Sequence, residues 1–144
     1  MCQATHETTV PGLSREAVWN AWADVNGWHE WDTDIEFATL DGRFEAGATF
    51  ILKPKGGPNV RIQLLRAAPF VGYTDLATFP LARMYGIHDM TDMPQGLKLT
   101  ITIRVEGPLG WLWRKLVAQK VADEAPAQMA SLSAYARRSQ TVVA

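Results

Sequence analysis

Between Leu97 and Ala136 the apolar residues change period, and that switch constrains the fold more than any other feature of the chain. From Leu97 to Val105 they alternate strictly: Leu97, Leu99, Ile101, Ile103 and Val105 are separated by Lys98, Thr100, Thr102 and Arg104. A period of two sends successive side chains to opposite faces of a strand, so one face is buried and one wet, as in an antiparallel sheet. The five apolar residues are predicted to lie on its concave face. After Gly107-Pro108 the spacing becomes three and four. Leu109, Leu112, Trp113, Leu116, Val117, Val121, Ala125, Met129, Leu132 and Ala136 form one stripe, with Arg114, Lys115, Asp123 and Arg137 largely off it. That stripe specifies an amphipathic helix of about 30 residues, or about 45 Å. Proline favours the first helical position, so the helix is expected to start at Gly107-Pro108. Pro126 removes one backbone donor inside it, and a kink is expected around Ala122 to Ala125.

The remaining elements are shorter. Gln3 to Val10 is threonine-rich and reads as a first strand, ended by Pro11-Gly12. Ser14 is placed to cap a helix with Glu16 in its first turn. Val18 and Trp22, four apart, share a face of that helix, and Asn26-Gly27 is the expected stop. Trp28 to Asp32 reads as one or two further turns. From Ile35 onward, short apolar runs at 35–37, 48–53, 60–64, 73–79 and 83–90 are punctuated by glycine and proline. The order is β-α-α-β-β-β-β-β-β-α. It predicts one α+β domain over residues 1–144, a curved antiparallel sheet of about seven strands around a long C-terminal helix.

Hydrophobic residues make up 47% of the chain and charged residues 20%, the balance of an ordinary globular domain. Fourteen basic and fifteen acidic side chains give a formal charge of -1, which supplies no electrostatic footprint for nucleic acid. The single cysteine, Cys2, excludes an intrachain disulfide and leaves a zinc cluster without thiols. His6, His29 and His88 have no ligand-like spacing, so neither a metal nor a cofactor is expected. The sequence has no glycine-rich phosphate loop and no nucleophile elbow, and Pro54-Lys55-Gly56-Gly57-Pro58 joins two strands rather than opening a helix. The first residues lack a basic segment followed by an apolar stretch, and no run reaches the roughly 18 apolar residues of a membrane span. A cytoplasmic protein without membrane insertion is expected, with a homodimer left open.

Ala17-Val18-Trp19-Asn20-Ala21-Trp22-Ala23-Asp24, followed by Trp28-His29-Glu30-Trp31-Asp32, resembles the opening of the SRPBCC superfamily. That superfamily includes the START domains, the birch-pollen-allergen-like proteins and the polyketide cyclase/dehydrase-like group. Gly107-Pro108-Leu109-Gly110-Trp111-Leu112-Trp113-Arg114-Lys115-Leu116-Val117 resembles the start of the last helix in bacterial cyclase/dehydrase-like members. The resemblance covers nearly the whole chain in element order. It implies a helix-grip fold with a hollow between sheet and last helix, which in the superfamily holds sterols, lipids, plant hormones, polyketides or aromatic compounds. Catalytic residues differ among its enzymes, so no role carries over residue by residue.

The candidate ligand-binding residues are the inward sets of the strands: Phe50 and Leu52, Ile62 and Leu64, and Leu99, Ile101 and Ile103. Leu116 and Val117 join them from the helix. Trp19 and Trp22 read as core. Trp31 and Trp113 stand at element edges, where core packing and cavity lining are equally open. Met84 and His88 share a parity opposed by Tyr85 and Ile87, and Tyr73 and Phe79 share one with Asp75. Both strands leave the inward parity open. Asp32, Asp34, Glu36, Arg61, Arg66 and Arg83 read as solvated charges. An inward His88 can act as an acid or base near neutral pH, or orient a ligand by one hydrogen bond. If the protein is an enzyme, His88, Tyr73 and Tyr85 are the candidates. Three functions are open: a carrier of a small hydrophobic molecule, a polyketide cyclase/dehydratase-like enzyme using the same cavity, and an interaction module like those that activate chaperone ATPases. Convergent polar groups favour chemistry, a wholly apolar lining favours carriage, and a filled core favours interaction. The ligand is expected to be mostly apolar, neutral or weakly acidic, and held against the first half of the last helix.

Overall fold

A computed structural model describes residues 2–143. β1 (Cys2–Val10) leads into α1 (Arg15–Ala23) and a 3₁₀ helix (Val25–Glu30). Six strands follow: β2 (Ile35–Thr39), β3 (Thr49–Pro54), β4 (Val60–Ala68), β5 (Gly72–Phe79), β6 (Ala82–Met93) and β7 (Gly96–Glu106). The C-terminal helix runs as α2 (Gly110–Trp113), a π-helical turn (Arg114–Ala118) and α3 (Gln119–Val143). The strands form one antiparallel sheet in the order β1-β7-β6-β5-β4-β3-β2, so the first strand closes the meander by pairing with the last. This is the predicted helix-grip architecture.

Local chemistry explains the elements. The Ser14 hydroxyl accepts the Ala17 amide at 3.0 Å and caps α1. The helix ends at Ala23, before Asn26-Gly27, because the chain tightens into the 3₁₀ turn and packs Val25 and Trp28 inward. In β7, Leu97, Leu99, Ile101, Ile103 and Val105 are buried and the residues between them half-buried, as the alternation predicts.

Cross-strand partners share a face, so β7 fixes the parity of its neighbours. Ile101, Ile103 and Val105 oppose His88, Gly86 and Met84 of β6, and those oppose Tyr73, Asp75 and Ala77 of β5. Met84, Gly86 and His88 therefore point inward, as do Tyr73, Asp75, Ala77 and Phe79. Tyr85 falls on the outer face, where the Arg104 guanidinium lies 4.7 Å from its ring centre. As a candidate catalytic residue Tyr85 is on the wrong side of the sheet.

The last helix starts at Gly110, later than Gly107-Pro108 suggests. Gly107 has φ +113, and a Cβ there would come 2.5 Å from the Leu81 carbonyl oxygen. Those two residues make the sharp turn off the sheet rather than the first helical turn. A π turn at Arg114–Ala118 precedes α3, and Pro126 lies inside α3. Pro126 is exposed, while buried Ala125, Met129, Leu132 and Ala136 hold the helix on the core on either side of it. Among the described residues no helix is long and apolar enough to cross a membrane.

Candidate functional site

Sheet and C-terminal helix enclose a cavity of about 360 Å³, within the usual range for small-molecule sites. Its floor is the inner face of the sheet: Leu52, Val60 and Ile62, then Tyr73, Asp75, Ala77 and Phe79, then Met84, Gly86 and His88, then Ile101 and Ile103. Its roof comes from the helix: Leu116, Val117, Lys120, Val121, Glu124 and Gln128. Trp28, Asp32, Asp34 and Ile35 close one side, with Pro54 and Lys55. The hollow exists because small residues, Ala77 and Gly86, occupy the middle of the floor.

Of the sequence candidates, Leu52, Ile62, Tyr73, Met84, His88, Ile101, Ile103, Leu116 and Val117 meet at this cavity. Trp31 and Leu99 instead border a hollow of about 10 Å³, the size of one water, shared with Trp22, Tyr73 and His88. Phe50 is consumed by core packing, its ring 5.3 Å from that of Trp28, and Leu64 is fully buried on the same inner face, opposite Asp75. Trp113 stacks on Phe79 at 4.7 Å and donates its indole N–H to the Pro80 carbonyl at 2.9 Å, so it braces the helix start behind the wall.

Asp32 is buried, not solvated. One carboxylate oxygen accepts the Asp34 amide at 3.0 Å and the other accepts the Gln128 side-chain amide at 2.9 Å. It thereby ties the turn before β2 to the helix. Glu124 faces the same rim, and burial together with the charge of Asp34 raises its carboxyl above the ordinary range. Glu36, by contrast, pairs with Lys53 at the surface.

The polar centre of the floor is Tyr73, Asp75 and His88. The His88 ring stacks on Tyr73 with centroids 4.2 Å apart and planes 8° off parallel, and the edge of Trp22 lies 6.0 Å away. His88 Nε2 stands 3.8 Å from Asp75 Oδ2. Their side chains are 13% and 19% exposed, and both line the cavity. Burial pushes the Asp75 carboxyl up to about 7, against an opposing hydrogen bond from the Gly86 amide. Burial, aided by the Arg66 guanidinium, pushes the His88 imidazole down to about 3. Burial and the Asp75 and Asp32 charges raise the Tyr73 phenol. Between about pH 3 and pH 7 the pair is thus a neutral carboxylic acid beside a neutral imidazole. Asp75, which the sequence marks only by its parity with Tyr73 and Phe79, joins the cavity floor beside His88. Among the described residues no group of histidine, cysteine and carboxylate side chains is arranged to hold a metal.

Residues 1–137 match the protein family described as polyketide cyclase / dehydrase and lipid transport. No curated protein matches the chain in sequence. Among solved structures, protein MLL2253 from Mesorhizobium loti superposes with a TM-score of 0.74 at 16% identity, over 95% of this chain and 98% of that one. The di-domain ARO/CYC StfQ of the steffimycin biosynthetic pathway gives 0.77 at 12% identity, over 96% of this chain and 51% of StfQ. Ara h 8.0201 gives 0.72 at 12% identity, over 95% and 98%. At these identities the likeness is one of fold.

Proposed function

The chain belongs to the polyketide cyclase/dehydrase and lipid-transport family, and from that premise we propose that its cavity binds one small, mostly apolar molecule. The observation that carries this reading is the hollow of about 360 Å³ whose walls are chiefly aliphatic and aromatic. Burying about 200 Å² of apolar ligand surface there contributes on the order of 5 kcal/mol before the entropic cost of association. Four carboxyl groups (Asp32, Asp34, Asp75, Glu124) face the cavity against two lysines (Lys55, Lys120), which favours a neutral ligand over an anion. Native mass spectrometry of protein purified without detergent, with fatty acids, sterols and aromatic polyketides titrated against tryptophan fluorescence, tests it. Trp28 lines the cavity and is expected to respond. Absence of any bound species and of any response across the panel overturns the reading.

A second reading, a cyclase/dehydratase-like enzyme, is favoured by the convergence of Tyr73, Asp75 and His88 on one point of an otherwise apolar floor. A pure carrier has no need of a buried acid beside a buried imidazole, since each costs free energy to desolvate. The interaction-module reading called for a filled core and draws no support from an open one.

A further inference from the structure

We propose that Asp75 and His88 form a carbon-acid site: the Asp75 carboxylate removes a proton from the carbon beside a ketone of a bound apolar substrate, while His88 Nε2–H hydrogen-bonds to the ketone oxygen. The inference rests on the enzyme reading of the cavity and assigns its chemistry. In the step, a C–H bond breaks and its electron pair moves into an enolate C=C, with charge on the oxygen held by His88. The proton goes to Asp75 Oδ2. Its return to the same carbon restores the ketone, and its return to a conjugated carbon shifts a double bond. Neither outcome needs an oxidant, a reductant or a second reactant.

Geometry singles out these two groups. At 3.8 Å, Nε2 and Oδ2 are too far apart to satisfy one another, so each keeps a direction free for a third group. The lack of a side chain at Gly86 lets both groups lie where they do. Gly86 pairs with Asp75 across the ladder, and a Cβ on it would lie 2.6 Å from Asp75 Oδ1 and 3.3 Å from His88 Nε2. The stack on Tyr73 fixes the imidazole plane, so the donor is positioned before a substrate arrives.

The surroundings select the reaction class. The described cavity lining contains no serine, threonine or cysteine, which leaves covalent acyl transfer without its usual nucleophile. What it offers is a buried carboxyl whose proton exchanges near neutral pH and an imidazole that stays uncharged, a base and an electrophile for proton abstraction next to a carbonyl. The other charged groups are placed around this pair rather than on it. Arg66 acts on His88 from β4, Asp32 acts on Tyr73 from the turn before β2, and Lys120 and Glu124 face it from the helix, with Asp34 and Lys55 at the rim.

The test uses 2-tetralone, an apolar bicyclic ketone. Exchange of its α-protons for deuterium is followed by NMR in D₂O, and its binding separately by tryptophan fluorescence. The intact protein is expected to accelerate exchange at least about tenfold over buffer, with a rate that climbs through about pH 7 as Asp75 ionises. Asp75→Asn should bind the ketone and lose the acceleration, and His88→Gln should bind it and lose most of it. The wild-type pH profile stands in if a variant does not fold. Binding without acceleration, a profile flat across neutrality, or an Asp75→Asn variant as fast as wild type overturns the carbon-acid site and leaves the binding reading intact. Failure of 2-tetralone to bind also overturns it. Failure of the whole ligand panel to bind overturns the reading on which it rests.

Discussion

Burial moves the Asp75 carboxyl up to about 7 and the His88 imidazole down to about 3, and over part of the pH scale the two displacements cancel. In the unfolded chain these groups titrate near 3.8 and 6.5. Between those values the folded pair carries one proton, on Asp75, and the unfolded chain also carries one, on His88. Equal proton counts give no slope of stability with pH. Each single variant unmasks the other member. Asp75→Asn leaves a histidine whose folded pKa is depressed, so its contribution is fully present above about 6.5 and lost as pH falls toward 3. His88→Gln leaves a carboxyl whose folded pKa is raised, so its contribution is present below about 3.8 and lost as pH rises toward 7. Urea unfolding from about pH 4 to 6.5 should therefore give the two variants slopes of opposite sign relative to wild type, each worth on the order of 3 kcal/mol across the window. Slopes of the same sign would show that the pair does not titrate as described. Neither role was legible locally. In β5, Tyr73, Asp75 and Phe79 alternate with Thr74, Leu76 and Thr78, and both sets mix polar with apolar. Only the register from β7 through β6 decides which set faces in, and register is a property of distant partners.

Elements with a one-sided pattern were legible where residues were not. β7 alternates without exception because one face is wet, and the stripe from Ala125 to Ala136 persists because that half of the helix rests on the core, whereas Leu116, at the cavity, is 60% exposed. The helix begins at Gly110, two residues beyond the proline that the sequence marks as its first position. Proline after glycine suits a helix start, but the carbonyl of Leu81 occupies the space any side chain at 107 would need. That contact belongs to the β5–β6 turn and leaves no mark near Gly107 in the sequence. The π turn at Arg114–Ala118 is likewise invisible to a spacing rule tuned to 3.6 residues. Gly107→Ala is expected to cost at least about 1 kcal/mol, since alanine meets both a positive φ and a backbone oxygen. Chemical denaturation measures it, and wild-type stability in that variant would mean the turn relaxes freely.

At the scale of the molecule the cavity is a liability that the fold must carry. A cavity of about 360 Å³ between sheet and helix withholds close apolar packing from the middle of the grip. Filling it should recover stability and exclude the ligand at the same time. Ala77 is the position to fill, since it lines the cavity floor between Ile62 of β4 and Met84 of β6. Ala77→Phe directs a ring into the hollow from a rigid central strand and leaves Asp75 and His88 in place. The variant is expected to melt no lower than wild type and to bind 2-tetralone at least about tenfold more weakly. A saturating ligand at about 100 times its Kd adds about 2.7 kcal/mol to the wild type, and Ala77→Phe should forfeit that gain. If the sheet and helix closed on each other in solution, the added ring would be overpacked and would cost about 1–3 kcal/mol. A lower melting temperature with ligand affinity unchanged would then place binding somewhere other than between the sheet and the last helix.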